Sequence, residues 1–170
     1  MSALSFLLGE SDDSSGRTVR DYCHMSYKQW EGCHDHIQWA FPNDKMSMYN
    51  SNAPIFYTSE YDELTPMQKA ICKTSIMNFM ANYMLSIGVE YCSDKSVVFR
   101  VIHAPTLKDA VSRGNHNNLR LTRLFRCLHL FGINLHPTST AASKFIKMCL
   151  VNGIKPTQDA IGYWENVYID

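Results

Sequence analysis

Glycine repeatedly closes runs of apolar periodicity in this chain, and that punctuation limits the fold more than any other feature. Apolar residues recur at three- and four-residue steps and stop at Gly32, Gly88, Gly132 and Gly153, as a helical stripe does on reaching a left-handed C-terminal residue. The starts are marked too. Thr18 precedes Val19, Tyr22, Cys23, Tyr27 and Trp30; Thr65-Pro66 precedes Met67, Ala70, Ile71, Met77, Met80, Met84 and Leu85; Pro156-Thr157 opens the last stretch. Threonine caps a helix and proline is tolerated in its first turn. The spacing predicts helices over 18–32, 34–41 (stopped by Pro42), 65–88, 106–112, 117–131, 138–151 and 157–168. The fold class is therefore all-α, with about six to seven helices and one long irregular loop over 43–63. Val97, Val98, Phe99, Val101 and Ile102 are strand-like, but no second strand is evident to pair with them, so 96–102 is read as extended.

A chain of 170 residues suits one domain around one core. The polar segment Gly-Glu-Ser-Asp-Asp-Ser-Ser-Gly over 9–16 makes 1–16 a flexible leader and 17–170 the helical domain. Hydrophobic residues at 45% and charged residues at 19% exclude a disordered chain. Sixteen basic residues balance sixteen acidic ones, which argues against nonspecific nucleic-acid binding or adhesion to an anionic membrane. No run approaches the roughly 18 to 20 apolar residues of a membrane span, and the first residues lack an export pattern. A cytoplasmic protein is expected. The six cysteines form no CxxC pair and are read as reduced thiols, with Cys72, Cys127 and Cys149 as small core hydrophobes. Cys23, His24, Cys33, His34 and His36 supply ligand types, but their spacing matches no zinc signature. No metal and no cofactor is expected.

Two stretches are more specified than a generic helical domain needs: His34-Asp35-His36-Ile37-Gln38-Trp39-Ala40-Phe41-Pro42 and His116-Asn117-Asn118-Leu119-Arg120-Leu121-Thr122-Arg123. With Tyr83-Met84-Leu85, Gly88, Leu128, Gly132, Phe145, Ala160 and Tyr163-Trp164, they resemble the conserved N-terminal region of the opioid growth factor receptor family, over most of 22–168. Cys33 and His36 depart from that pattern, where relatives favour asparagine and tyrosine, and the connections over 41–64 and 90–115 are short. The resemblance implies a helical fold and a binding role, in a minimal version of bacterial or phage type without the C-terminal extensions of other members. An opioid ligand does not follow from it.

On a helical wheel of ~100° per residue, Leu121, Leu124, Phe125, Leu128 and Phe131 form a core face. Arg120 and Arg123 flank it with His116, while Arg126 faces water. Asn117 projects into the apolar face and must find hydrogen bonds. His34, Ile37, Gln38 and Phe41 share one side of the first motif. If the two motifs meet, His34, Gln38, His116, Asn117, Arg120 and Arg123 make a polar cluster. It is either a network that fixes packing or a ligand site accepting a phosphate or carboxylate beside Trp39 or Trp30. The leading expectation is a non-catalytic domain that binds a peptide, a protein surface or a small anionic ligand through His34, Gln38, Trp39, His116, Asn117, Arg120 and Arg123. The alternative is a protein that sequesters or hydrolyses a nucleotide-like molecule, with His34 or His116 as base and Asp35 orienting it. The oligomeric state is left open.

Overall fold

The computed structural model describes residues 2–47, 50, 52–92 and 98–169; Ser96 and Val97 of the strand-like run lie outside them. Helices dominate, as the periodicity requires: ten are found among the described residues, more than six or seven because several are one-turn pieces. The chain divides into two compact units, Met1–Asn82 and Tyr83–Asp170.

Unit 1 holds α1 (Ala3–Leu7), α2 (Val19–Cys23), α3 (Tyr27–Gly32), α4 (Ile37–Ala40), α5 (Thr58–Asp62) and α6 (Pro66–Ser86) as far as Asn82. The single helix predicted over 18–32 is two. Ser26 restarts it with a capping box, its hydroxyl accepting from the Gln29 amide while the Gln29 side chain accepts from the Ser26 amide; a satisfied cap competes with continuation. Thr18 and Asp21 make the same reciprocal pair at α2, and Thr65 with Gln68 at α6. The loop over 43–63 contains α5 and a bridge from Asn43 to Ile55.

Residues 2–16 are not a leader outside the core. Phe6 is fully buried, with ring centroids 5.0 Å from Tyr22, 5.5 Å from Trp39 and 6.1 Å from Phe79. Composition misleads here because the polar run over 9–16 is a turn pinned by one carboxylate. Buried Asp13 accepts from the Ser15 and Arg17 amides at 2.8 and 2.9 Å, from the Arg17 Nε at 2.6 Å and from the Tyr22 hydroxyl at 2.6 Å. Burial alone would raise its pKa, but these hydrogen bonds outweigh it and hold the carboxyl below its ordinary value.

Unit 2 holds the end of α6, β1 (Val89–Tyr91), β2 (Phe99–Val101), α7 (Ala104–Ala110), α8 (Asn117–Leu130), α9 (Ala141–Val151) and α10 (Gln158–Asn166). The strand-like run does have a partner: β1 and β2 pair antiparallel with Val89 opposite Val101, a three-residue strand too short to read from pattern. Gly88 makes the pairing possible. Its φ is +82°, and a Cβ there would stand 2.4 Å from the His103 carbonyl oxygen. His103 caps α7, its Nδ1 accepting from the Thr106 amide, so the helix starts ahead of the 106 expected from spacing. The interior is aromatic: Phe145 lies 5.8 Å from Phe99, 5.8 Å from Phe125 and 5.5 Å from Trp164. Among the described residues no helix is long and apolar enough to cross a membrane.

Candidate functional site

The first motif spans the approach to α4 in unit 1. His34 is exposed, whereas His36, Gln38 and Trp39 are buried. His36 packs its ring 4.9 Å from Trp30. Trp30 is itself fully buried and its indole donates to the Asn82 amide oxygen, so it is a core residue and not a stacking platform. Asp35 does not orient a histidine. It accepts from the Ser15 hydroxyl at 2.7 Å and from Arg17 at 3.0 Å, and those bonds hold its carboxyl low against the opposing effect of burial. The Gln38 amide nitrogen reaches the Ser47 hydroxyl at 3.4 Å, while, among the described residues, its Oε1 and the Trp39 Nε1 meet no hydrogen-bond partner. Neighbouring helix residues project about 100° apart, so these two atoms do not converge on one seat.

The second motif opens α8 in unit 2. His116 is exposed, Asn117 and Arg120 are buried, and Arg123 is half-buried; the latter three are all engaged by neighbouring groups. Asn117 solves the problem its position poses by accepting from the Tyr83 hydroxyl at 2.9 Å, while its own amide donates to Asn115 Oδ1 at 2.9 Å. Asn118 donates to the Ser112 carbonyl at 2.8 Å and its carbonyl accepts from the Trp164 indole at 3.0 Å. Several residues that carry the family resemblance in this unit, Tyr83, Asn117, Asn118 and Trp164, thus hold one another. The second motif is a brace for the start of α8. The core face read from the wheel is buried throughout.

Arg126 departs from its expected place in water. Its guanidinium donates to the Val167 carbonyl at 2.8 Å, because the chain beyond α10 returns over that side of α8. Arg126→Ala is expected to lower stability by about 1 to 2 kcal/mol through loss of a charge-assisted bond, measured by urea melts; a parent-like midpoint would show that the contact contributes nothing.

The sequence motifs do not mark the cleft in unit 2. It encloses about 460 Å³ between the end of α8, the connection over 133–140, the start of α9 and Tyr168. Leu128, Ile133, Leu135 and Pro137 supply apolar wall, and His129, His136, Thr138, Ser139 and Tyr168 supply polar rim. The helix ends beside it are already capped. Gly132 and Ile133 donate to the His129 and Leu128 carbonyls at 2.9 and 2.8 Å, Ser143 donates to Thr140 Oγ1 at 3.1 Å, and Ala142 to the Tyr168 hydroxyl oxygen at 3.3 Å. His136 Nδ1 accepts from the Thr138 amide at 3.2 Å, which puts the ring proton of the neutral imidazole on Nε2 as a donor. Tyr168 has its pKa raised by burial above all and keeps its proton. The only sequence signal was Asn134-Leu135-His136-Pro137-Thr138, a connection longer than a helix hairpin needs.

No group of three or more His, Cys, Asp or Glu placed to hold a metal occurs among the described residues, and the six cysteines are free thiols. No curated protein and no solved structure matches the chain. Residues 8–169 match the opioid growth factor receptor conserved region. With nearly the whole length matched, and with the motif residues of unit 2 holding that unit together as shown, the chain belongs to the opioid growth factor receptor conserved-region family.

Proposed function

We propose that this chain is a non-catalytic binding domain that receives a small ligand or a short peptide segment in the cleft of unit 2. The cleft itself carries the reading. Its volume of about 460 Å³ lies within the ~300 to 1,000 Å³ of small-ligand pockets, and apolar wall beside a few placed donors is how such pockets fix orientation. The family description names a receptor, which agrees with binding. Of the residues expected to bind, Gln38, Trp39, Asn117 and Arg120 are buried, and their roles are better accounted for by packing; His34, His116 and Arg123 keep accessible surface and remain secondary candidates. Free thiols suit the cytoplasmic setting that goes with this reading.

The test is a thermal-stability screen of the chain against short peptides, phosphates and nucleotides, repeated with Leu135→Asp. A ligand at 100 times its Kd adds about 2.7 kcal/mol to the folded state. At least one compound is expected to raise the melting temperature of the parent and not of the variant. An empty screen, or hits indifferent to Leu135→Asp, would remove the cleft as the seat.

A further inference from the structure

The neutral formal charge of the chain conceals a division between its units. Met1–Asn82 contains six Lys and Arg against ten Asp and Glu, while Tyr83–Asp170 contains ten against six. Unit 2 therefore carries a formal charge of about +4 at pH 7, with the histidines counted as neutral. The cleft described above lies in this cationic unit, and among the described residues no carboxylate lines it.

What does line it is a set of donors. The Thr138–His136 bond leaves Nε2–H of His136 as a donor, and Ser139 and Tyr168 add hydroxyls, while the Thr138 hydroxyl turns to His136 Nδ1 at 3.5 Å. Lys144 does not line the cleft but stands one turn into α9, its backbone amide donating to the carbonyl of the lining residue Thr140 at 3.2 Å; slight burial first and the Lys144 charge second hold His136 below the ordinary imidazole value. The His129 ring stands 5.3 Å from the Tyr168 ring, edge to face, and closes the end by α8. Neither helix terminus is the binding element, since Ala142 and Ser143 at the start of α9 and the last carbonyls of α8 have protein partners. The recognition groups are side chains, and they stand beside apolar wall made by Leu128, Ile133, Leu135 and Pro137.

We infer that the cleft is a site for a phosphate monoester carried on an apolar body, with His136 and Ser139 on the phosphate, Lys144 outside the lining as a nearby countercharge, and Leu135 and Ile133 against the body. A phosphate has three terminal oxygens to satisfy and gains from a cation nearby, which matches several hydroxyl and imidazole donors backed by one ammonium. This inference rests on the binding reading of the same cleft and gives it a ligand class.

The experiment is an amide-resolved NMR titration of the full chain with three probes: inorganic phosphate, phenyl phosphate and the uncharged N-acetyl-leucinamide. Phenyl phosphate is expected to shift the amides of Leu135, Thr138 and Ser139 saturably, with inorganic phosphate weaker at the same amides and the uncharged probe weakest. Lys144→Gln is expected to weaken phenyl phosphate up to about fivefold, the upper range for one exposed charge. Ser139→Ala, a surface change that keeps the fold, is expected to weaken it as well. If N-acetyl-leucinamide saturates these amides and the phosphates do not, the phosphate assignment is wrong while the binding cleft stands. If no probe moves them, or Lys144→Gln and Ser139→Ala both bind like the parent, the assignment is overturned; silence from all three probes also removes the binding reading.

Discussion

Trp39→Ala and Phe41→Ala are each expected to lower the unfolding free energy by about 3 to 5 kcal/mol, the range for large aromatic truncations in a core. Both side chains are buried. The Trp39 ring stands edge-on to Phe6 at 5.5 Å, and the Phe41 ring stacks on Trp30 with centroids 6.4 Å apart, so each deletion opens a space beside a buried ring held on a short helix, α1 or α3. Collapse into such a space is poor, which puts the cost toward the upper end. Gln38→Leu is the informative companion. Among the described residues the Gln38 Oε1 accepts no hydrogen bond, so replacing the amide with an apolar group of similar shape is expected to be neutral or mildly stabilising. Denaturant melts with unchanged m-values check all three. A parent-like midpoint for both aromatic variants would mean that the first motif is surface, and a large loss in Gln38→Leu would mean that its amide is satisfied by a ligand or solvent.

Removing residues 2–9 is expected to be about as damaging as deleting a core aromatic, because it takes away Phe6. Phe6→Ala alone is expected to cost about 3 to 5 kcal/mol, since the ring lies against Tyr22, Trp39 and Phe79. The Ser75 hydroxyl also donates to the Leu7 carbonyl at 2.8 Å inside unit 1, and truncation strands that buried donor. By contrast Glu10→Gln, in an exposed turn, is expected to stay within about 0.5 kcal/mol of the parent. Melting of the truncated chain within a degree or two of the parent would restore the reading of this segment as a leader.

The Phe6 case shows where pattern reading fails. Asp13 makes the polar run over 9–16 look like solvated chain, yet it is buried and bonded to Ser15, Arg17 and Tyr22; one carboxylate that accepts four hydrogen bonds converts a polar stretch into part of the core. A single short helix such as α1 has no periodicity to detect, and only Ser2 as a cap announces it. The same limit hid β1, whose three residues gain meaning only through the partner strand and the close approach at Gly88. Ser26 was legible in principle, since Ser26 with Gln29 three residues on is a capping-box pattern, but apolar spacing from Val19 to Trp30 ran through it and suggested one helix.

For the candidate site the balance is different. The family motifs stood out because their residue types are too particular for generic packing, and the structure explains that particularity in unit 2 by mutual bonding among Tyr83, Asn117, Asn118 and Trp164. The cleft is not legible in the sequence because its residues come from a connection, two helix ends and Tyr168 near the end of the chain, each ordinary alone.

The helical class, the caps at Thr18, Thr65 and Thr157, the stops at Gly88, Gly132 and Gly153 and the buried face of α8 are all legible from residue spacing. All of these rest on interactions within a few residues or on an apolar stripe, so local spacing encodes them. The folded chain alone makes Phe6 core, brings Arg126 to the Val167 carbonyl, and gathers His136, Ser139 and Tyr168 at one cleft. Those outcomes depend on which distant segments meet, and a burial pattern records that a residue has a partner without recording which one.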